Sequence, residues 1–454
     1  HFHSVLLSIQ LATEQSTGCS VREERGALML SRQDNERITR VGPGTPMGEL
    51  MRRYWQPILI SHELPHPDSD PVRVRILGED LVAFRDTSNR IGLISEWCPH
   101  RLTSMFLGRN EENGLRCVYH GWKFDADGVC VDMPNEPSEY DFSHKVKMVS
   151  YPTIETGGVI WTFMGPKDQT PPEPNFEFTR QPESHRHASK VIEQCNWLQA
   201  LEGGVDSVHS SFLHRKFGTG KSEAESGLDG LRAKATASKL EVEPTDYGYR
   251  YGSVRPIPGE GTSYVRTYHF VMPHIQIRAA QLNNDGSWYK FKIAGHHWVP
   301  IDDEHTLVWN WFYTLDEPLS DSEREERGIG NGPDDVDQRT WKSVRNADND
   351  WLIDRDLQRT ETFTGIQGIN AQDRAVQEAM GPIVDRSLEH LGQTDRGVIT
   401  TRKMLMEAMR AVEDGASPVG ANDSYYHIRA IEQVLPSDVR WQEALMEKMH
   451  PKAS

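Results

Sequence analysis

Cysteine is scarce in this chain: 454 residues hold five, Cys19, Cys98, Cys117, Cys130 and Cys195. Secreted domains stapled by disulfides carry more, usually in even number, so a bridge framework is excluded and a reducing cytoplasm is expected. Long apolar runs are missing as well, none approaching the roughly 20 residues that cross a bilayer. Basic charge is in deficit, with 50 Lys and Arg against 67 Asp and Glu and a formal net charge of −17. Sequence-independent nucleic-acid binding needs a cationic surface that releases counterions, so that class is disfavoured. An acidic surface suits solubility and leaves room for a basic protein partner.

The length predicts two to four domains at about 100–200 residues each. Residues 1–28 read as a tail or an appended segment: Val5 to Leu11 is apolar but short, no basic region precedes it, and Met29-Leu30-Ser31 looks like a natural start. Residues 41–60, with Tyr54-Trp55, are expected to form a helix leading into the first domain. From Pro71 to about Gly165 the pattern is strand-like, with alternation in Val72-Arg73-Val74-Arg75-Ile76-Leu77 and a later apolar run, Gly158 to Phe163. Four prolines between Pro166 and Pro174 mark a seam. Beyond it, Glu193 to His214 reads as mixed helix interrupted by Gly203-Gly204, residues 217–234 as a mobile loop, and Lys239 to Leu315 as strands. The acidic, glycine-rich stretch 317–340 is expected to be a flexible insertion. Helical periodicity returns at Asp350–Gln358, Ile399–Val412 and Val439–Met449. Gly328-Ile329-Gly330-Asn331-Gly332 follows no strand and is not a dinucleotide fingerprint, and no flavin or NAD site is evident.

Two clusters carry the chemistry. Cys98-Pro99-His100 is followed, after sixteen intervening residues, by Cys117-Val118-Tyr119-His120. Each half offers one thiolate and one imidazole within a tight turn. Two sulfurs and two nitrogens suit tetrahedral zinc or a [2Fe–2S] cluster. Zinc sites commonly pair two cysteines and then two histidines, whereas a Rieske centre needs cysteines on one iron and histidines on the other. Trp97 before the first half and Gly121-Trp122-Lys123-Phe124-Asp125 after the second fit that centre. Cys130 and Cys19 fit no such pattern.

The second cluster is Asn196 to His209, ending at His214. His209 and His214 are five apart, which on a helix at about 100° per residue leaves them roughly 140° apart. A regular helix could not aim both at one metal, so it must bulge or end between them. Asp206 precedes His209 by three.

Together these residues resemble the large subunit of the Rieske non-haem iron oxygenases over nearly the whole chain from Met29. The phthalate dioxygenase-like branch, whose oxygenase has one kind of subunit, is the nearest in pattern. Arg40-Val41-Gly42-Pro43-Gly44-Thr45-Pro46-Met47-Gly48-Glu49-Leu50 and Cys195-Asn196-Trp197-Leu198-Gln199-Ala200-Leu201-Glu202-Gly203-Gly204 carry that likeness. The resemblance implies an α+β fold: a β-rich Rieske domain over 29–165, then a catalytic domain over 166–454 with a curved antiparallel sheet packed against helices. It implies that Cys98 and Cys117 hold the inner iron and His100 and His120 the outer one. His209, His214 and a downstream carboxylate would hold a mononuclear Fe(II), a facial triad open to dioxygen. Asp350, Asp354, Asp356 and Asp373 compete for that place. Asp373 is chosen for its Gln372-Asp373-Arg374 context, and Asp354, beside Arg355, is expected in a surface ion pair. Asp206 would bridge to His120 of a neighbouring copy, in a cyclic trimer or a multiple of it.

The implied reaction consumes O2 and takes electrons from NADH through a separate flavin and ferredoxin-type reductase. An aromatic carboxylate such as a substituted or phenoxy benzoate is the expected substrate, dihydroxylated at the iron. O- or N-dealkylation by monooxygenation is the alternative, and a non-catalytic Rieske electron carrier a distant one. Ser207, Lys239, Arg255 and Arg266 are the substrate-binding candidates. Lys239 stands in Ala237-Ser238-Lys239, where phthalate-cleaving relatives carry an arginine, so phthalate itself is not expected.

Overall fold

The computed structural model describes residues 30–217, 238–280, 292–421 and 428–451. The expected tail, nearly all of the loop from 217 and an Asn422-Asp423-Ser424 sequon lie outside them. Ser31 caps the first helix, α1 (Arg32–Thr39), by accepting from the Asp34 amide, and Thr45 caps α2 (Pro46–Met51), which starts on proline. The chain then turns extended: β1 (Trp55–Ile60) pairs with β10 (Val159–Phe163), which also pairs with β9 (Thr153–Thr156). The expected helix over 41–60 is thus confined to six residues, because the apolar Trp55–Ile60 run is taken up by the sheet.

β2 (Val72–Ile76), a strand as its alternation predicts, forms a meander with β3 (Glu79–Arg85) and β4 (Ile91–Ser95). A second small sheet, β5 (Arg109–Glu111), β6 (Gly114–Arg116), β7 (Lys123–Phe124) and β8 (Cys130–Asp132), follows. Between these sheets lies a core of its own, including Phe84, Ile94, Leu115, Trp122 and Phe124, with Cys98, Cys117 and Cys130 inside it.

After the proline-rich seam, seven strands build one antiparallel sheet in the order β11-β17-β16-β15-β14-β13-β12, joined at β14 by β18 (Glu432–Pro436). They are β11 (Arg186–Glu193), β12 (Lys239–Pro244), β13 (Gly248–Ile257), β14 (Thr262–Val271), β15 (Ile275–Ala279), β16 (Lys292–Pro300) and β17 (Thr306–Thr314). Alternate residues face opposite sides. On the inner strands Ile277, Ile293 and Trp309 enter the main core, while Tyr268, Gln276, Arg278, Ala294 and His296 line a cavity. That core also takes in Ile38, Met47, Trp161 and Leu405, so the leading helices and β10 are packed into it.

Helix α3 (Trp197–Val205) lies on this sheet, and Gly203-Gly204 sits inside it rather than breaking it. A methyl on Gly204 would overlap the Trp298 ring, and one on Gly203 would overlap the Gln377 amide. The pair therefore allows close packing. Helix α4 (Ile369–Glu378) packs against α3, and α5 (Arg396–Glu413) against α2. Glu202 is held between Arg386 and Arg402, at 2.9 and 2.6 Å. Burial opposes its ionisation, but the two guanidinium groups outweigh that and lower its pKa.

Two further expectations change. Stretch 317–340 is packed, not free: Glu326, Asn331 and Val336 are buried. Its charge disguised this, because the buried carboxylate of Glu326 meets Asn331 and His187. The helix expected over 350–358 becomes a kinked 3-10 segment, Ala347–Leu352, followed by a short helix, Arg355–Thr360. Asp354 is the cap of that helix, accepting from the amides of Asp356 and Leu357, instead of one half of an ion pair.

Candidate metal centres

Two knuckles project from the small Rieske-side sheets. In the first, the Leu102 amide donates to the Cys98 carbonyl at 2.8 Å and the Cys98 amide to Thr103 at 2.9 Å. In the second, the Gly121 amide donates to Cys117 at 3.0 Å and the Cys117 amide to Trp122 at 2.8 Å. Gly121 has φ +84°, and a Cβ there would lie 2.7 Å from Pro134, so this turn needs glycine. The knuckles bury both cysteines, 1% and 2% exposed, and leave His100 and His120 half-buried with ring centroids 4.3 Å apart. Trp122 stacks on His100 at 4.6 Å and donates its indole N–H to Asn135, which fixes the wall of the site.

These four residues fit a Rieske cluster better than a single metal. Donors around one tetrahedral zinc lie within about 4 Å of one another. Among the described residues, the metal-ligating group whose donor atoms all lie within 4.8 Å of one another is His209, His214 and Asp373, and the four knuckle residues form no such group. Their spread suits two irons, with sulfur ligands inside and imidazoles outside. The Nδ1 atoms of His100 and His120 are buried without a hydrogen-bond partner, as expected of ligand atoms. Burial, together with the neighbouring Cys117, pushes the Cys98 thiol up to about 11, so iron must displace its proton.

Helix α3 ends before the second set of histidines. The Asp206 amide makes the last helical bond, to Glu202, and its carboxylate then accepts from the Val208 amide at 2.7 Å. A 3-10 turn, His209–Ser211, follows, and this break brings His209 and His214 to a ring separation of 5.1 Å. Across the cavity, α4 presents Asp373, whose Oδ1 lies 3.5 Å from His209 Nε2 and 3.3 Å from His214 Nε2. Burial resists ionisation of Asp373, but His214 and His209 outweigh it and hold the carboxyl at about 2. Two imidazoles and an ionised carboxylate converging on one point are a suitable donor set for Fe(II).

Two residues that the sequence did not single out shape this site. Gln372 Oε1 accepts from His214 Nδ1 at 2.8 Å, which leaves Nε2 free to face the metal. The Gln372 amide N–H is itself anchored on the Ile366 carbonyl. Arg278, on β15, lines the cavity. A pattern-based reading could not find either, since Gln372 acts only after α4 docks and Arg278 is one of many strand cations. Asp206 faces His209 Nδ1 at 3.7 Å, beyond hydrogen-bond range, and its carboxyl is lowered by that neighbour against the effect of burial.

The substrate candidates separate clearly. Ser207 and Arg266 line the cavity, whose volume is about 1060 Å³. Lys239 points away on β12, exposed and paired with Glu241 at 2.6 Å. Arg255 is buried behind the site, where it donates to the Ser207 carbonyl at 2.6 Å and to Ser253 at 2.8 Å. It supports the backbone between Asp206 and His209 and is not among the residues lining the cavity.

The Rieske [2Fe-2S] domain family matches residues 54–152, and the LigXa C-terminal domain like family matches residues 162–452. The chain is 40% identical to the 3-chlorobenzoate-3,4-dioxygenase oxygenase subunit of Comamonas testosteroni, over 92% of this chain and 98% of that one. It is 39% identical to the phthalate 4,5-dioxygenase oxygenase subunit of Pseudomonas putida, over 91% and 94%. Identity to the 5,5'-dehydrodivanillate O-demethylase oxygenase subunit of Sphingobium sp. is 31%, over 93% and 89%. No described helix is long and apolar enough to cross a membrane. Likeness that runs through both halves, and so through both metal centres, makes the chain an oxygenase of the Rieske non-haem iron family, in the branch of the phthalate and chlorobenzoate dioxygenases.

Proposed function

We propose that this oxygenase hydroxylates an aromatic carboxylate, adding two adjacent hydroxyls to the ring, with electrons delivered from NADH by a separate reductase. The observation that carries this reading is the cavity: His209, His214 and Asp373 stand on one wall, and the strand cations Arg266 and Arg278 on another. A ring lying between them has an anionic end to anchor and an edge to oxidise. The first two relatives named above, a 3-chlorobenzoate and a phthalate dioxygenase subunit, support that substrate class.

The [2Fe–2S] cluster, when bound, supplies one electron at a time, and the mononuclear iron activates dioxygen. The protein's part is positional. Gln372 holds the His214 Nδ1 proton, and Arg255 fixes the turn that carries His209. Trp298 and Val308 help to keep the site dry. Asp206, beside His209, would reach His120 of the partner subunit and give electrons a short path between copies. Exposed apolar groups on both faces support such a head-to-tail trimer: Trp97, Val118 and Tyr119 beside the cluster knuckles, and Phe212, Ile369 and Val376 beside the triad.

The O-demethylase relative favours one alternative, oxidative dealkylation of a methoxylated aromatic acid at the same triad. Oxygen uptake with a panel of aromatic acids and a surrogate reductase separates the two. A product with vicinal hydroxyls supports dihydroxylation, release of formaldehyde supports dealkylation, and no uptake with any aromatic acid overturns the substrate class.

A further inference from the structure

Buried carboxylates near the cavity are matched by cations or strong donors. Glu202 is clamped by Arg386 and Arg402, and Glu432 accepts from Tyr264 at 2.6 Å and faces Arg266 at 3.5 Å. Glu193, at the end of β11, is the exception. It is 1% exposed, lines the cavity of the triad, and forms no ion pair among the described residues. Its carboxyl accepts from the Cys195 thiol at 3.5 Å, and a thiol is a weak donor. An ionised carboxylate is costly in such a place without better compensation, so the group is held as the neutral acid.

The surroundings reinforce this. The residue opposite Glu193 on β17 is the uncharged Thr306. The charged groups acting on it, Glu378, Arg374 and Asp373, all stand on α4, and the other titratable neighbour is the Cys195 thiol. Burial, with Glu378 and Asp373, outweighs Arg374 and the thiol and pushes the Glu193 carboxyl up to about 8. Arg374 is turned to Asn331, to which it donates at 2.9 Å.

Helix α4 also links this acid to the surface. Glu378 is half-buried and accepts from the Gln194 amide at 3.0 Å and from the Trp351 indole at 2.6 Å, so it is fixed beside the end of β11. Asp373 lies five residues earlier on the helix, about 7.5 Å along its axis. One helix thus carries a carboxylate of the triad into the cavity and a second one toward solvent, and Glu193 feels the charge of each.

Reduction of dioxygen in this site consumes two protons along with two electrons, whether a ring is dihydroxylated or a methyl group is removed. A cavity closed against water has to draw those protons from the protein. We infer that Glu193 is the proton-delivering residue of this oxygenase. Its O–H bond breaks while an O–H bond forms on an oxygen derived from dioxygen, through one intervening water. The carboxylate left behind is reprotonated from solvent by way of Glu378, and the second proton follows the same route. The electrons come from the proposed reductase, so Glu193 transfers protons alone.

Infrared spectroscopy of the purified protein in H2O and D2O tests this without turnover. Wild type is expected to show a deuterium-sensitive carboxylic C=O band that is lost as pH rises through about 8, and Glu193→Gln to lack it. Stopped-flow reoxidation of the reduced holoenzyme by dioxygen, with benzoate present, is the second readout. The wild-type rate is expected to be slower in D2O and to fall above a pH of about 8. Glu193→Gln should be about 100-fold slower and insensitive to pH in that range. An unaltered Rieske absorption spectrum shows that the variant is folded. Should it fail to fold, Glu378→Gln removes a negative neighbour and is expected to move both titrations to lower pH. Glu193 does not deliver the protons if the band is missing from wild type or persists in Glu193→Gln. The same follows if Glu193→Gln reoxidises at the wild-type rate, or if Glu378→Gln leaves both titrations in place. Dihydroxylation and dealkylation consume the same protons, so these outcomes stay readable even where the aromatic-carboxylate reading fails.

Discussion

At the scale of single residues, the geometry of the triad depends on groups outside it. His214 is oriented by Gln372 through one hydrogen bond of 2.8 Å, and the Gln372 amide is anchored in turn on Ile366. Replacing such a partner of a ligating histidine weakens metal binding by about 10- to 100-fold. Gln372→Leu should therefore lose iron from the mononuclear site in chelator competition while the Rieske spectrum stays intact; unchanged iron retention would remove Gln372 from that role. The four knuckle residues proposed to hold the cluster stand out in the sequence because each knuckle is local, one cysteine and one histidine within a few positions. His209 and His214 were legible as a pair, together with the need for a helix break between them. Gln372 was not, because its role exists only once α4 has docked across the cavity. Asp354 illustrates the reverse error: its neighbour Arg355 suggested an ion pair, whereas its geometry is that of a helix cap.

At the scale of elements, the placement of α3 decides the geometry of the site. Glycines inside a helix cost stability unless packing requires them. At Gly204 a Cβ would meet the rigid, buried ring of Trp298, whereas at Gly203 it would meet the end of the Gln377 side chain. Overpacking of this kind costs about 1–3 kcal/mol, so Gly204→Ala should lower the melting temperature by several degrees. Gly203→Ala should cost much less, since Gln377 can move and alanine favours helix. Equal effects in thermal denaturation would contradict this account of the pair. Composition alone suggested an interruption here, because glycine reads as a breaker until the partner that approaches it is known. The strand pattern was more legible. Alternation marks β2, and the Lys239–Leu315 stretch reads as strands, whereas Trp55–Ile60 falls inside an expected helix because a run this short does not separate helix from strand by its period.

At the scale of the whole molecule, net charge and assembly become the relevant quantities. A chain of charge −17 should attract a basic patch on the proposed reductase. With electrons supplied by that reductase, coupled turnover should fall steeply as salt is raised from low to physiological strength and beyond; indifference to salt would exclude electrostatic docking. The proposed assembly is not legible from composition, because the exposed residues that would mark it, Trp97 and Tyr119 on one face and Ile369 and Val376 on the other, are scattered along the chain. They gain meaning only when both metal centres are seen to open beside them. The central claim is that electrons leave the cluster of one copy and reach the mononuclear iron of the next through Asp206. Asp206→Asn tests it most directly, since asparagine keeps the oxygen that accepts from Val208 and so preserves the turn. The decisive measurement is stopped-flow reoxidation of the fully reduced, iron-replete variant on mixing with substrate and oxygen. The account predicts that both metal sites stay occupied while the cluster remains reduced on the timescale of wild-type turnover. Reoxidation at the wild-type rate would contradict it.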